Sequence, residues 1–200
     1  MLIKSNARLV WLLILIFVSA GFLNLYGQQT SKMGELRFTA DDQSERDAGV
    51  WIDGKYSGYV KELKGDRKIL LPPGPHEISI RQAGYKDLTK TVVIDADQVQ
   101  SLEVVLEENN QMAYPGSNAA ELRLDIQPKR AAVFVDGTYM GHGGDFGGRF
   151  HSMLVSPGKH RLKVTLEGYR SYETEIEAQA NNKSQTKIVL EKGTDARPAQ

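Results

Sequence analysis

A few histidines and acids are the side chains of this 200-residue sequence whose types could support proton transfer or metal binding. His142 and His151 flank the glycine-rich stretch GHGGDFGGRFH, and Asp145 lies between them. Two imidazoles and a carboxylate can ligate zinc or another divalent ion. The three residues do not follow a metal-site motif, however, and a long loop between two strands accounts for the same pattern. The sequence therefore predicts no metal site and no cofactor.

The same stretch is also a candidate contact surface, because loops raised on a rigid scaffold often carry binding residues. Phe146, Arg149 and Phe150 could together form an aromatic and cationic surface for a peptide or a glycan. The alternative is that one or both phenylalanines pack into the core of their own domain.

The carboxylates do not suggest catalysis. Asp53 and Asp136 each precede a glycine in a turn, and three glutamates alternate along one strand face at 173, 175 and 177. A glycosidase would need two carboxylates that flank a bound sugar. The sequence contains no Gly-x-Ser-x-Gly, no phosphate-binding glycine loop, no His-Glu-x-x-His and no cysteine. We therefore predict that the protein is not an enzyme.

The charge balance also limits the classes of partner that are expected. Lys+Arg and Asp+Glu both number 25, so the formal net charge is zero. A nucleic-acid-binding protein usually has a basic excess or a basic face. We predict no nucleic-acid partner.

The N-terminus has the composition of an export signal. Lys4 and Arg8 precede LVWLLILIFVSAGFL (9–23), which carries no charge. We predict a signal peptide or an uncleaved signal anchor at 1–27, with 9–26 as the segment that would hold an anchored form in the membrane. Both alternatives retain the basic N-terminus in the cytoplasm and export the remainder of the chain.

The remainder contains one pattern written twice. VWIDGKYSG (50–58) recurs as VFVDGTYMG (133–141), and other landmarks recur in the same order. These landmarks are Glu-Leu-Arg at 35 and 121, Pro-Gly-x-His at 73 and 157, Gly-Tyr at 84 and 168, and Val-Leu-Glu at 105 and 189. Such self-similarity indicates a duplicated module. We predict module 1 at 34–108, a linker at 109–119, module 2 at 120–192 and a disordered tail at 193–200.

The repeated residues predict turns, bulges and bends in the backbone. Asp-Gly between two β-rich runs predicts a hairpin with a type I′ turn, in which both central residues have positive φ. The glycines that follow allow a bulge, and Gly-Tyr supplies a bend. His76 and His160 occupy equivalent positions, which favours a turn hydrogen bond. The predicted structural landmarks are Asp53, Gly54, Gly58, Gly84, Asp136, Gly137, Gly141 and Gly168.

Apolar residues alternate with polar ones in each copy, as in Leu122–Ile126 and Leu162–Leu166. A period of two predicts strands with one buried face. In module 1 the closing strand is predicted to run through Leu106. Short strands divided by turn signals favour an all-β fold of two tandem small β-sandwich modules after an N-terminal hydrophobic helix.

The order of these motifs resembles the PEGA domain over both modules. The shared pattern is an Ala-x-Val-x-(Val/Ile)-Asp-Gly strand and turn, then Pro-Gly-x-His, Gly-Tyr and a closing Val-Leu-Glu. The resemblance implies a small prealbumin-like sandwich of the kind found in exported and cell-surface proteins. It implies no catalytic residues.

The predicted function is that of an exported, non-catalytic structural or protein-interaction module of the cell envelope. It would be periplasmic or at the cell surface, with an envelope protein or a glycan as partner, and would touch the membrane only through its N-terminal segment. The alternative is a carbohydrate-binding module that recognises cell-wall or surface glycan. That alternative requires exposed aromatic side chains, for which the candidates are Trp51, Tyr56, Tyr139, Phe146 and Phe150. Trp51 lies within an apolar strand and is also a core candidate.

Overall fold

The computed structural model describes residues 32–110, 115–148 and 151–193. The predicted signal peptide or anchor at 1–27 lies outside the described residues, as does the predicted tail beyond residue 193. In the described ranges, no helix is long and apolar enough to cross a membrane.

Both modules are built from strands in the same order. Module 1 contains β1 (Gly34–Thr39), a short helix α1 (Gln43–Asp47), β2 (Gly49–Ile52), β3 (Lys55–Tyr59), β4 (Ile69–Leu71), β5 (Gly74–Arg81), β6 (Leu88–Ile94) and β7 (Val99–Glu103). Module 2 contains β8 (Ala120–Gln127), β9 (Ala132–Val135), β10 (Thr138–His142), β11 (Met153–Val155), β12 (Gly158–Thr165), β13 (Tyr172–Ala178) and β14 (Lys183–Val189). The all-β prediction is confirmed.

Each module has one three-stranded and one four-stranded sheet. The strand orders are β4-β1-β7 and β3-β2-β5-β6 in module 1, and β11-β8-β14 and β10-β9-β12-β13 in module 2. The first and last strands of each module pair in parallel, as β1 with β7 and β8 with β14. All other pairs are antiparallel. The two copies therefore share one topology.

The alternating apolar residues face one core in each module. In module 1 the most deeply buried of them are Leu36, Val50, Ile78, Ile80, Ile94 and Val104. In module 2 they are Leu124, Ile126, Val133, Leu162, Val164 and Ile188. Burial of each such side chain contributes about 1.5–3 kcal/mol, so these residues supply most of the drive for folding.

The Asp-Gly turns have the backbone that a type I′ hairpin requires. Asp53 and Gly54 have φ of 50° and 77°, and Asp136 and Gly137 have φ of 51° and 82°. The pairing register shifts between Val50 and Trp51 in the first hairpin, and at the equivalent point in the second. Each hairpin is thus a tight turn followed by a bulge.

The glycine at each bulge makes room for a carboxylate. Gly58 has φ of 138°, and a Cβ on it would overlap the carboxylate of Glu62. Gly141 has φ of 145°, and a Cβ there would lie 2.5 Å from Oδ2 of Asp145. The acid four residues after the glycine therefore folds back against the bulge in both modules, which explains why this glycine recurs.

Two elements of module 1 differ from the prediction: the end of its closing strand, and helix α1, which no helical pattern in the sequence indicates. The closing strand of module 1 ends at Glu103 rather than at Leu106. Helix α1 begins with a capping box, in which Asp42 accepts from the N–H of Glu45 at 2.9 Å. Oε1 of Glu45 also accepts the N–H of Leu106, at 3.4 Å. The end of the predicted strand is therefore held by a side chain instead of a neighbouring strand.

Candidate functional site

The outer faces of the two four-stranded sheets meet in an interface of aromatic side chains. Val50 and Ile52 on β2 face the core of module 1, so Trp51 between them points outward. Trp51 and its equivalent Phe134 on β9 have ring centroids 6.2 Å apart. Although both rings lie on the outer faces of their sheets, Trp51 is only 6% exposed because module 2 covers it.

Further contacts join these rings to the repeated tyrosines. Tyr56 and Tyr139 have ring centroids 6.3 Å apart. Trp51 meets Tyr139 edge to face, with 5.0 Å between centroids and an interplanar angle of 89°. The ring of Tyr139 also lies where a Cβ on Gly49 would be, at 2.7 Å. Contacts between aromatic rings in such geometry contribute about 0.5–1.5 kcal/mol beyond the burial of their area.

These pairings have the form of a two-fold interface. In a two-fold dimer each residue can meet its own equivalent on the partner. Here Trp51 meets Phe134 and Tyr56 meets Tyr139, although both members of each pair belong to one chain. The repeated phrase thus encodes both the hairpin of each module and the surface through which the modules join.

A polar network surrounds the aromatic contacts. Nε of Arg130 lies 3.2 Å from Oε1 of Glu62, and its Nη2 donates to the carbonyl of Ser57 at 3.0 Å. The hydroxyl of Tyr56 donates to the carbonyl of Arg130 at 3.1 Å. These three contacts join module 1 to the turn between β8 and β9, so they fix the orientation of the interface.

His142 lies in the same interface. Its ring stacks on that of Tyr59, its own equivalent in module 1, with centroids 4.0 Å apart. Its Nδ1 accepts the N–H of Gly144 at 3.1 Å, and its Nε2 lies 3.2 Å from Oδ1 of Asp145. Nδ1 therefore serves as a hydrogen-bond acceptor in this arrangement. Burial raises the pKa of Asp145.

Two of the three residues considered for metal binding, His142 and Asp145, therefore serve the interface. His151 lies on the exposed side of the same loop. Across the part of the chain that the structure describes, no group of three or more His, Cys, Asp or Glu is arranged to hold a metal ion. Burial also raises the pKa of Tyr56 and Tyr139, so both hydroxyls stay neutral.

The histidines of the Pro-Gly-x-His motif lock the two Asp-Gly turns. Nδ1 of His76 lies 2.7 Å from Oδ2 of Asp53, and Nε2 lies 2.9 Å from the carbonyl oxygen of Pro72. His160 makes the same contacts with Asp136 at 2.6 Å and with the carbonyl of Ser156 at 2.7 Å. Since all four partners are acceptors, both ring nitrogens donate when the imidazole is protonated.

The pKa values follow from that geometry. The hydrogen bond to Asp53 raises the pKa of His76, with the Pro72 carbonyl adding to the effect. Burial alone would lower the pKa of His160, but the bonds to Asp136 and Ser156 raise it overall. The bonds from the histidines lower the pKa of both aspartates.

The predicted contact loop lies only partly within the described residues. Phe146 is 7% exposed and packs in the core of module 2, so its ring is not available to a partner. Arg149 and Phe150 lie outside the described residues. Three of the other aromatic candidates for glycan binding, Trp51, Tyr56 and Tyr139, are buried where the modules meet.

The comparison with known families agrees with this architecture. The family model described as the PEGA domain matches residues 43–110 and 119–194. The chain belongs to the PEGA domain family. Strand β1 precedes the first matched range, yet it pairs with β4 and β7 and completes the three-stranded sheet of the first PEGA module.

Other comparisons add less. No curated protein matches the chain. One similar solved structure is described as the Bacillus anthracis TIE protein, with 14% sequence identity and a TM-score of 0.28. The match covers 80% of this chain and 34% of that one, so this chain spans about a third of its length. A likeness of this size carries no argument about function.

The joined PEGA modules leave several strand edges open. Strands β4 and β11 are each bonded on one side, to β1 and β8, and within the described residues neither has a strand on its other side. Leu70 and Leu154, the central residues of β4 and β11, are 47% and 38% exposed. Such unpaired edges can accept an additional strand.

Proposed function

We propose that this protein is an exported, non-catalytic interaction module of the cell envelope that binds a protein partner through its open strand edges. The observation that carries the proposal is the contrast between the two kinds of surface. Trp51, Tyr56 and Tyr139 are buried where the two modules meet, whereas among the described residues the short strands β4 and β11 are paired on one side only and carry exposed leucines.

The family and the N-terminus support the cellular location. PEGA domains are typical of extracytoplasmic proteins, and residues 9–23 form an uncharged apolar stretch behind two basic residues. A cleaved form and an anchored form would both place the modules on the same side of the membrane. A reporter enzyme that is active only after export, fused after Gln200, tests this part of the proposal.

The interaction itself is tested by co-sedimentation of the full chain with cell-wall sacculi from the source organism, before and after protease treatment of the sacculi. We expect binding that protease abolishes, because the partner is a protein. Binding that survives protease would favour the glycan-binding hypothesis instead. No exposed aromatic pair among the described residues supports glycan binding, and we do not propose it.

A photo-crosslinking amino acid at an edge position locates the contact. Leu70 and Leu154 are suitable, and the exposed Lys163 on β12, a strand that is paired on both sides, is a control. We expect crosslinks from one or both leucine positions and none from the control. Crosslinks only from the control would contradict the role of the edges.

A further inference from the structure

Two grooves lie at equivalent positions of the two modules, between edge strands of different sheets. The first groove, between β3 and β4, has a volume of about 430 Å³ and apolar walls that include Ile52, Ile69 and Leu71. The second groove, between β10 and β11, has a volume of about 580 Å³ and includes the equivalent Val135 among its walls. The two grooves thus repeat with the modules.

Each groove is completed by the opposite module. Glu167, in the turn before Gly168 of module 2, lines the first groove. Ala83 and Gly84, the equivalent turn of module 1, line the second. The pairing of the modules therefore shapes both grooves, and an isolated module would have neither in complete form.

The first groove has the features that an extended peptide needs. Strand β4 pairs only with β1, and β3 pairs only with β2, within the described residues. The outer edge of β4 therefore presents backbone N–H and C=O groups beside an apolar floor, whereas the Ser57 carbonyl of β3 already accepts from Arg130. A bound peptide can pair with such an edge while alternate side chains enter the floor.

Charge distinguishes the first groove from the second. Lys55 and Lys68 line the first groove, and Thr138 and Ser152 occupy the same positions in the second. Lys55 is exposed, and in the described part of the chain it has no ion-pair partner within 4 Å. Nζ of Lys68 lies 3.8 Å from Glu35, whose other carboxylate oxygen is bound by Arg37 at 2.6 Å.

Two acids share the first groove with these two cations. Asp53 is already held by His76, at 2.7 Å. Glu167 remains as the one further acid among the described lining residues. The groove therefore has an apolar floor and a rim that carries two lysines, of which Lys55 has no ion-pair partner among the described residues.

We propose that the first groove binds an extended peptide segment of a protein partner, with apolar side chains at alternate positions and acidic residues that face Lys55 and Lys68. The peptide adds as a strand beside β4. This inference rests on the proposed interaction function and assigns it a site and a ligand chemistry. Because β4 has three residues, the segment that pairs is short.

The test uses fluorescently labelled peptides and the full chain. The first probe has the sequence Glu-Ile-Thr-Val-Glu with blocked ends, and the second has lysines in place of its glutamates. A third has proline in place of threonine, which removes one backbone N–H. Fluorescence anisotropy measures each affinity. We expect the acidic probe to bind, the proline probe to lose binding, and the lysine probe to bind more weakly.

Substitutions taken from the second groove locate the site. The double variant Lys55→Thr with Lys68→Ser should weaken binding of the acidic probe about five- to tenfold, since each exposed ion pair contributes a few-fold to the affinity. The control, Lys90→Thr with Lys187→Ser, makes the same change in charge at exposed lysines outside both grooves and should leave the affinity unchanged.

Two results would overturn the assignment. One is equal weakening by the two double variants, which would mean that binding follows net charge. The other is no saturable binding of the acidic probe at all. Protease-sensitive co-sedimentation with sacculi, retained alongside either result, would show that the interaction function stands and that this groove is not its site. Loss of both would count against the interaction function itself.

Discussion

The two PEGA modules share the hairpins through which they touch each other and differ at the rims of their grooves. The hairpins that join them share Asp-Gly turns, bulge glycines and tyrosines, as in Tyr56 and Tyr139. At the groove rims, module 1 has Lys55 and Lys68 where module 2 has Thr138 and Ser152. The comparison teaches that the repeated residues maintain the fold and the joining of the modules, while the variable edge residues are free to specify a partner.

The largest expected effect is on the free energy of unfolding, and it should differ between the two aromatic residues at equivalent positions of the interface. Trp51→Ala should lower the free energy of unfolding by about 3–5 kcal/mol, because it removes a large buried ring. Phe134→Ala should lower it less, since Phe134 is only partly buried. Urea unfolding followed by circular dichroism measures both. Equal losses, or a small loss for Trp51, would contradict the asymmetry of the interface.

The glycines of the hairpins offer a second comparison. Gly58→Ala and Gly141→Ala should each destabilise the protein more than Gly54→Ala and Gly137→Ala. All four positions have positive φ, at which a side chain is strained by about 1–2 kcal/mol. Only the first pair would also displace the carboxylate of Glu62 or Asp145.

Thermal or urea unfolding of the four glycine variants ranks them. If the alanines at the turn positions proved as damaging as those at the bulges, the space kept for the acids would not matter.

The hydrogen bonds of His76 and His160 with the turn aspartates, called the histidine locks below, should make the stability of both modules depend on pH. The folded-state pKa of His76 and His160 is raised, so their contribution to stability is complete below the unfolded pKa of about 6.5. It is lost as pH rises through the folded-state values. The aspartate pKa values are lowered, so that contribution is present above about pH 3.9 and is lost in more acidic solution.

The free energy of unfolding of the native chain, measured by urea at several pH values, should therefore fall as pH rises from 6 to 8. The double variant His76→Gln with His160→Gln should show a flatter profile over this range. Nuclear magnetic resonance titration of the two imidazoles provides the matching pKa values. A native profile as flat as that of the variant would show that the locks do not depend on protonation.

The smallest expected effect concerns the groove rim. Lys55→Thr with Lys68→Ser should change the free energy of unfolding by less than about 0.5 kcal/mol, because exposed positions away from the core rarely contribute more. Thermal unfolding checks this. A larger change would mean that the lysines are needed by the fold and could not vary freely between modules.

The sequence allowed much of each module to be predicted because the relevant signals are local. Asp-Gly fixes a turn through φ, and alternation fixes which face of a strand is buried. The short helix at Gln43–Asp47 was missed, although Asp42 and Glu45 form the spacing of a capping box. Five residues are too few to produce a helical period.

The interface could not be predicted from one module alone. An outward aromatic residue such as Trp51 has the same local pattern whether it contacts solvent, a ligand or another module. The available signal was comparative, since both copies place an aromatic residue on the face that should be polar, at Trp51 and Phe134. Phe146 was ambiguous for a related reason, because a glycine-rich loop gives no periodicity from which its direction could be inferred.

The central claim, that the modules join through equivalent aromatic residues, is tested most directly by nuclear Overhauser contacts in the native full chain. We predict contacts between the rings of Trp51 and Tyr139, and between those of Tyr59 and His142. Absence of both, with a Trp51 indole N–H that exchanges rapidly with water, would mean that the modules are not joined through these residues.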